Sequence, residues 1–149
     1  MMIEFPLTGR CACGAIQFEC NADPIFFFLC HCVDCRKATG SAYAPNVWFS
    51  RDSVKITKEP SAHLERGISG KDTRHEFCAD CGTPIGMCTD ATEGIRGFRA
   101  STFDDLQGLK PIANVWVSTM LPWEKLDSSL PSFKTQPNRE EFAKLKGHP

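Results

Sequence analysis

From Ala15 to Cys20 the chain alternates apolar and polar residues (Ala15-Ile16-Gln17-Phe18-Glu19-Cys20), the pattern of a half-buried strand. Ile25 to Leu29 is a continuous apolar run of strand length, so it reads as a buried strand. Asn46-Val47-Trp48-Phe49 and Ser53-Val54-Lys55-Ile56 flank Ser50-Arg51-Asp52, which predicts a hairpin. A second hairpin is expected from Thr73–Phe77 and Thr83–Cys88, and two further strands from Gly97–Ser101 and Ala113–Val117. Helix signals are few. Cys32–Thr39 has room for one or two turns before Gly40 stops them, and Asn138 is placed to cap a short helix over Arg139–Lys146. Phe142 and Leu145 would share one face of that helix. The stretch from Glu59 to Lys71, with Pro60, Gly67 and Gly70, reads as a mobile loop. Trp48 and Trp116 are assigned to the core, and Asp104 and Asp105 to a turn, with Asp104 as an Asx-type acceptor.

Composition adds limits. The 149 residues are enough for one domain with a core of its own. With 42% apolar and 23% charged residues, the chain resembles an average globular protein. A net charge of −1 and the lack of a basic tail argue against a nucleic-acid partner. No apolar run is long enough to span a membrane; Pro24–Leu29 is too short. The start Met1-Met2-Ile3-Glu4-Phe5 has no basic signal-peptide opening, so a cytoplasmic location is expected.

Nine cysteines change the picture, because seven of them form two groups with metal-ligand spacing. Cys11-Ala12-Cys13 and Cys78-Ala79-Asp80-Cys81 offer four sulfurs, each pair followed by a glycine, Gly14 or Gly82. Four thiolates close a tetrahedral structural zinc site. Such a site staples an N-terminal strand to a central hairpin; two separate buried thiol pairs are the plainer alternative. Cys30-His31-Cys32-Val33-Asp34-Cys35 offers three sulfurs that converge if a helix begins after Cys32. A helix N-terminus there would lower the thiol pKa values. Three sulfurs leave one position open, as in catalytic sites. A second closed site completed by Cys20 or Cys88 remains the alternative. His31 is expected to point away from its neighbours' metal, because adjacent residues of an extended strand face opposite ways. Arg36 and Lys37 follow at once and are candidates for binding an anionic substrate, or for charge balance and solvation. His63, His75 and His148 carry no spacing signal.

These motifs resemble those of the glutathione-dependent formaldehyde-activating enzymes, a family that also includes centromere protein V. The matching stretches are Gly9-Arg10-Cys11-Ala12-Cys13-Gly14, Cys30 through Lys37, Gly40-Ser41, Phe77 through Thr83, Ser101-Thr102-Phe103-Asp104-Asp105 and Leu130-Pro131-Ser132-Phe133. The resemblance implies a single domain over residues 1–149 with its core at about 9–137, mainly β, of the zinc-stapled β-tent type with few short helices. It implies a structural zinc on Cys11, Cys13, Cys78 and Cys81. It also implies a labile, catalytic zinc on Cys30, Cys32 and Cys35. The implied activity is that of a carbon–sulfur lyase that joins formaldehyde to the thiol of glutathione or cleaves that adduct. Many relatives carry a histidine where this chain has Asn114, in Ala113-Asn114-Val115-Trp116. Two rival readings stand beside the enzyme: a non-catalytic zinc module for a protein or nucleic-acid partner, and a redox sensor that releases zinc on oxidation of Cys30, Cys32 or Cys35.

Overall fold

The computed structural model describes residues 2–67 and 70–146. Its strands are β1 (Leu7–Arg10), β2 (Gln17–Cys20), β3 (Phe26–Cys30), β4 (Ala44–Ser50), β5 (Val54–Ile56), β6 (Ser61–Arg66), β7 (Asp72–Phe77), β8 (Pro84–Thr89), β9 (Ile95–Arg99) and β10 (Ala113–Val115). Two helices, α1 (Val33–Thr39) and α2 (Arg139–Lys146), complete a mainly β chain, as the pattern predicts. No helix among the described residues is long and apolar enough to cross a membrane. His148 lies outside the described residues, as do Ile68 and Ser69 of the expected loop. The chain divides into two compact units, Met1–Phe26 with Asn46–Leu109, and Phe27–Pro45 with Lys110–Pro149.

In the first unit, β1, β2 and β5 pair antiparallel in that order, with Gly9 opposite Phe18 and Phe18 opposite Ile56. A side chain on Gly9 would run into the Phe18 ring, so only glycine lets the aromatic ring lie across its neighbour strand. Phe18 stacks on Phe98 with centroids 4.1 Å apart and meets the edge of Phe103 at 5.0 Å. Such pairs contribute about 0.5–1.5 kcal/mol each beyond their burial. The strands β4, β9, β8, β7 and β6 also pair antiparallel in that order.

Three expectations are corrected here. The residues flanking Arg51 do not form a hairpin: β4 pairs with β9 and β5 with β2. A 3-10 turn at Arg51–Ser53, closed by the Ser53 hydroxyl on the Ser50 carbonyl at 2.7 Å, carries the chain from one pairing to the other. Ser61–Arg66, expected within a loop, is strand β6, paired along its length with β7. It is an edge strand with mostly exposed side chains, so no alternation marks it. Leu7–Arg10 is a strand that the pattern missed, because Gly9 stands at one of its two buried positions.

In the second unit, β10 runs parallel to β3, with Val115 opposite Cys30. β10 stops at Val115 because Trp116 turns left-handed (φ 60), and a 3-10 turn over Val117–Thr119 replaces the expected last strand residues. Asn138 caps α2 reciprocally: its Oδ1 accepts from the Glu141 N–H at 2.9 Å, and the Glu141 carboxylate accepts from the Asn138 N–H at 2.8 Å. Phe142 sets the edge of its ring against Phe28, and Leu145 is buried, so the expected face is the packed one.

Candidate metal centres

All nine cysteines are unbridged thiols. The first centre lies in the first unit and gathers Cys11, Cys13, Cys78 and Cys81, whose sulfurs all lie within 4.8 Å of one another. Cys11 and Cys13 sit on the turn after β1; Cys78 and Cys81 sit on the turn between β7 and β8. Each turn closes on itself: the Gly14 N–H donates to the Cys11 carbonyl at 3.1 Å and the Gly82 N–H to the Cys78 carbonyl at 2.8 Å. Both glycines hold positive φ, 79° and 78°, a conformation a side chain resists.

The donor set fits a tetrahedral ion. Sulfurs about 2.3 Å from one such centre stand about 3.8 Å apart. Here Cys11 and Cys13 are separated by 3.6 Å, and Cys13 and Cys78 by 3.8 Å. Groups around the sulfurs favour their charged form. The Ile16 N–H donates to Cys11 Sγ at 3.3 Å. The Thr83 hydroxyl lies 3.1 Å from Cys81 Sγ and accepts from the Ala12 N–H at 3.0 Å, so one side chain ties the two turns together. With the Thr83 hydroxyl as the leading cause, the Cys81 thiol is lowered to about 6. Cys11 is lowered as well: burial acts against it, but the Ile16 N–H and the neighbouring thiols outweigh burial. The Ala15 N–H pulls Cys13 down, yet Cys11, burial and the other thiols carry it up to about 12. Cys13 therefore carries a proton that a metal would displace.

The second centre lies in the second unit and gathers Cys30, Cys32 and Cys35, also within 4.8 Å of one another. Cys30 ends β3 opposite Val115, Cys32 is the N-cap of α1, and Cys35 stands in its first turn. The Cys35 N–H donates to Cys32 Sγ at 3.3 Å, so the sulfur caps the helix in place of a hydroxyl. Gly40 ends α1 as expected, with its N–H on the Arg36 carbonyl. Among the described residues no fourth sulfur joins this group. Cys20 and Cys88, weighed for that place, sit in the first unit; Cys88 Sγ lies 3.7 Å from the Glu76 carboxylate.

One expectation about this centre is reversed. The start of α1 does not bring Cys30 or Cys32 below the usual thiol value; the Cys35 N–H pulls Cys32 down but is outweighed. Contact with Cys32 and Cys35, then burial, raises Cys30 well above its usual value. Cys30 lowers Cys32, but Cys35 and burial raise it further, for a net rise. Three crowded thiols out of water resist sharing negative charge without a cation among them.

His31 is 1% exposed and joins neither centre. Its Nε2 lies 3.2 Å from Asn114 Oδ1, and its ring rests against Tyr43 at 5.1 Å. The Thr119 hydroxyl holds its carbonyl at 3.2 Å, and the Asn114 amide reaches Ser132 Oγ at 3.5 Å. His31 thus braces the chain between two cluster cysteines. Arg36 is half-buried, with Nε shielded from water and unpartnered, whereas Lys37 is exposed. His63 is exposed beside Glu65, and His75 Nδ1 lies 3.2 Å from Arg99. Asp105, rather than Asp104, makes the Asx-type bond, accepting from the Gln107 N–H at 2.8 Å. Asp104 instead accepts from the Thr8 hydroxyl at 2.8 Å. Thr83 and Asn114 acquire structural roles that spacing did not assign; the only signal was their place beside the Cys81-Gly82 and Val115-Trp116 motifs.

The family model described as glutathione-dependent formaldehyde-activating enzyme matches residues 6–119. Among solved structures, a Rhodobacter sphaeroides protein is similar with a TM-score of 0.51 and 20% identity. The match covers 70% of this chain and 92% of that one, and it speaks for the fold alone. No curated protein matches the chain.

Proposed function

The chain belongs to the glutathione-dependent formaldehyde-activating enzyme family, and on that premise we propose that it is a zinc-dependent carbon–sulfur lyase that forms or cleaves an S-hydroxymethyl thiol adduct. The observation that carries the reading is the contrast between a four-sulfur group and a three-sulfur group in one chain. Closed sets of four suit structure, and sets of three leave a position for substrate. In this reading Cys11, Cys13, Cys78 and Cys81 hold the structural ion, and Cys30, Cys32 and Cys35 the labile one. Zinc bound at the three-sulfur group would supply a positive charge that acidifies a thiol or polarises a carbonyl.

The remaining work falls to the chain. In the forward direction the substrate sulfur bonds to the aldehyde carbon, the carbonyl π pair moves to oxygen, and the thiol proton ends on that oxygen as a hydroxyl. The reverse direction breaks the same carbon–sulfur bond. The Cys35 N–H fixes Cys32, and the His31–Asn114 pair fixes the backbone between Cys30 and Cys32. In this reading Arg36, half-buried and next to Cys35 in the chain, holds a carboxylate of a thiol such as glutathione, and exposed Lys37 adds only screened charge. A reducing, cytoplasmic setting suits nine unbridged thiols.

The test is zinc stoichiometry in the wild type and Cys32→Ala, each with and without glutathione, alongside formaldehyde–glutathione exchange followed by NMR. Two ions in the wild type, one in the variant, and exchange lost with the second ion are expected. Two ions that ignore glutathione, with no catalysed exchange, would leave a non-catalytic zinc module.

A further inference from the structure

Strand β9 carries two buried arginines that are provided for differently. Arg96 places Nη2 2.9 Å from both carboxylate oxygens of Glu76, with Glu59 at 3.6 Å. Arg99, three residues on and therefore on the opposite face of the strand, is 1% exposed and the largest of the fully buried side chains. Its contacts are an amide oxygen, a thioether sulfur and a ring nitrogen: Nη1 donates to the Asn46 amide oxygen and lies 3.7 Å from Met87 Sδ, and Nη2 lies 3.2 Å from His75 Nδ1. No carboxylate among the described residues pairs with it, and its Nε is buried without a partner.

A guanidinium has five N–H groups in a planar fork. Three contacts here leave Nε–H and one Nη2–H, and the Nε–Nη2 edge is one that a carboxylate grips with both oxygens. A charge taken out of water without a counter-charge is among the most costly features a fold can carry. The neighbours come from three strands: Asn46 on β4 directly opposite Arg99, and Met87 on β8 and His75 on β7 directly opposite each other. Asn46 and His75 are themselves buried, so they hold the fork in one orientation.

We infer that Arg99 is the anchor of an enclosed anion site in the first unit that takes the carboxylate of a small molecule. The inference is independent of the metals and of the proposed lyase activity. The carboxylate belongs either to a free small acid or to a larger one such as glutathione, and the two sources share this chemistry.

The experiment uses the full, metal-loaded chain and reads the Nε–Hε resonances of Arg99 and Arg96 by 15N NMR. Probes at matched ionic strength are sodium acetate, glutathione, glutathione with both carboxylates esterified, and sodium chloride. A shifted Arg99 resonance with acetate or with free glutathione, an unmoved Arg96 resonance, and no response to the diester or to chloride are expected. Acetate alone would mark a free small acid as the ligand, and glutathione alone a larger acid. An Arg99 resonance that ignores both, or follows the diester equally, overturns the inference. Arg99→Gln, if it folds, loses the acetate- or glutathione-induced rise in melting temperature; a rise that survives the substitution also overturns it.

Discussion

The Asn114 amide oxygen and His31 Nε2 meet at 3.2 Å, both residues 1% exposed. Asn114 thus holds the histidine between Cys30 and Cys32. Replacing Asn114 by Leu removes the partner and leaves a buried ring nitrogen bare, which costs about 1–3 kcal/mol. Urea denaturation is expected to show that loss, and the second centre is expected to bind zinc more weakly. Unchanged stability and unchanged zinc affinity would deny His31 its bracing role.

Thr83 makes a comparable prediction for the first centre. Its hydroxyl joins the Ala12 N–H to the Cys81 sulfur. Loss of such a partner to a metal ligand typically costs about 10–100-fold in affinity. Thr83→Val, which keeps the shape and removes the hydroxyl, is expected to fall in that range by chelator competition. Thr83→Ser is expected to restore most of it.

Acid is expected to empty the second centre before the first. Ligand thiols must lose their protons to bind metal, so affinity falls as pH falls. Without metal, Cys30 and Cys32 both stand above the usual thiol value. In the first centre Cys11 stands below it and Cys81 is at about 6, while Cys13 is raised to about 12. Raised thiols hold their protons more tightly against a metal, and three sulfurs grip an ion less firmly than four, so the second group's metal is the first to be displaced as pH drops. Zinc release followed with a chromophoric chelator during acidification should show two steps, the earlier one absent in Cys32→Ala.

The Arg96–Glu76 pair yields a stability prediction. Both residues are 6% exposed. Glu76→Ala leaves Arg96 buried, with only the exposed Glu59 carboxylate near, and should cost about 3–5 kcal/mol. The double change Arg96→Met with Glu76→Leu removes both charges and should cost much less. Equal losses in the two proteins would show that packing, not charge, sets the cost.

The cysteine groups were legible because ligand spacing is local: C-x-C and C-x-x-C place sulfurs on one turn whatever the rest of the chain does. The capped helix α2 and the β7–β8 hairpin were legible for the same reason, since their signals lie within a few residues. Pairing between distant strands was not. Nothing near Arg51 announces that β4 and β5 part company, because that depends on where β9 and β2 lie. β6 was hidden by its exposure, and the Arg99 cluster by its assembly from four strands. The thiol pKa values of the second centre went the other way because burial and crowding outweigh one short helix.

The first centre draws its four sulfurs from two turns that are widely separated along the chain. An ion held there acts as a reversible cross-link whose strength is set from outside the molecule. For a ligand that binds only the folded state, stability rises by about 1.4 kcal/mol for each tenfold increase in its free concentration above the dissociation constant. With zinc as that ion, the melting temperature of this chain would follow the logarithm of the free zinc concentration. Cells with different zinc buffering would hold the same sequence at different margins from unfolding.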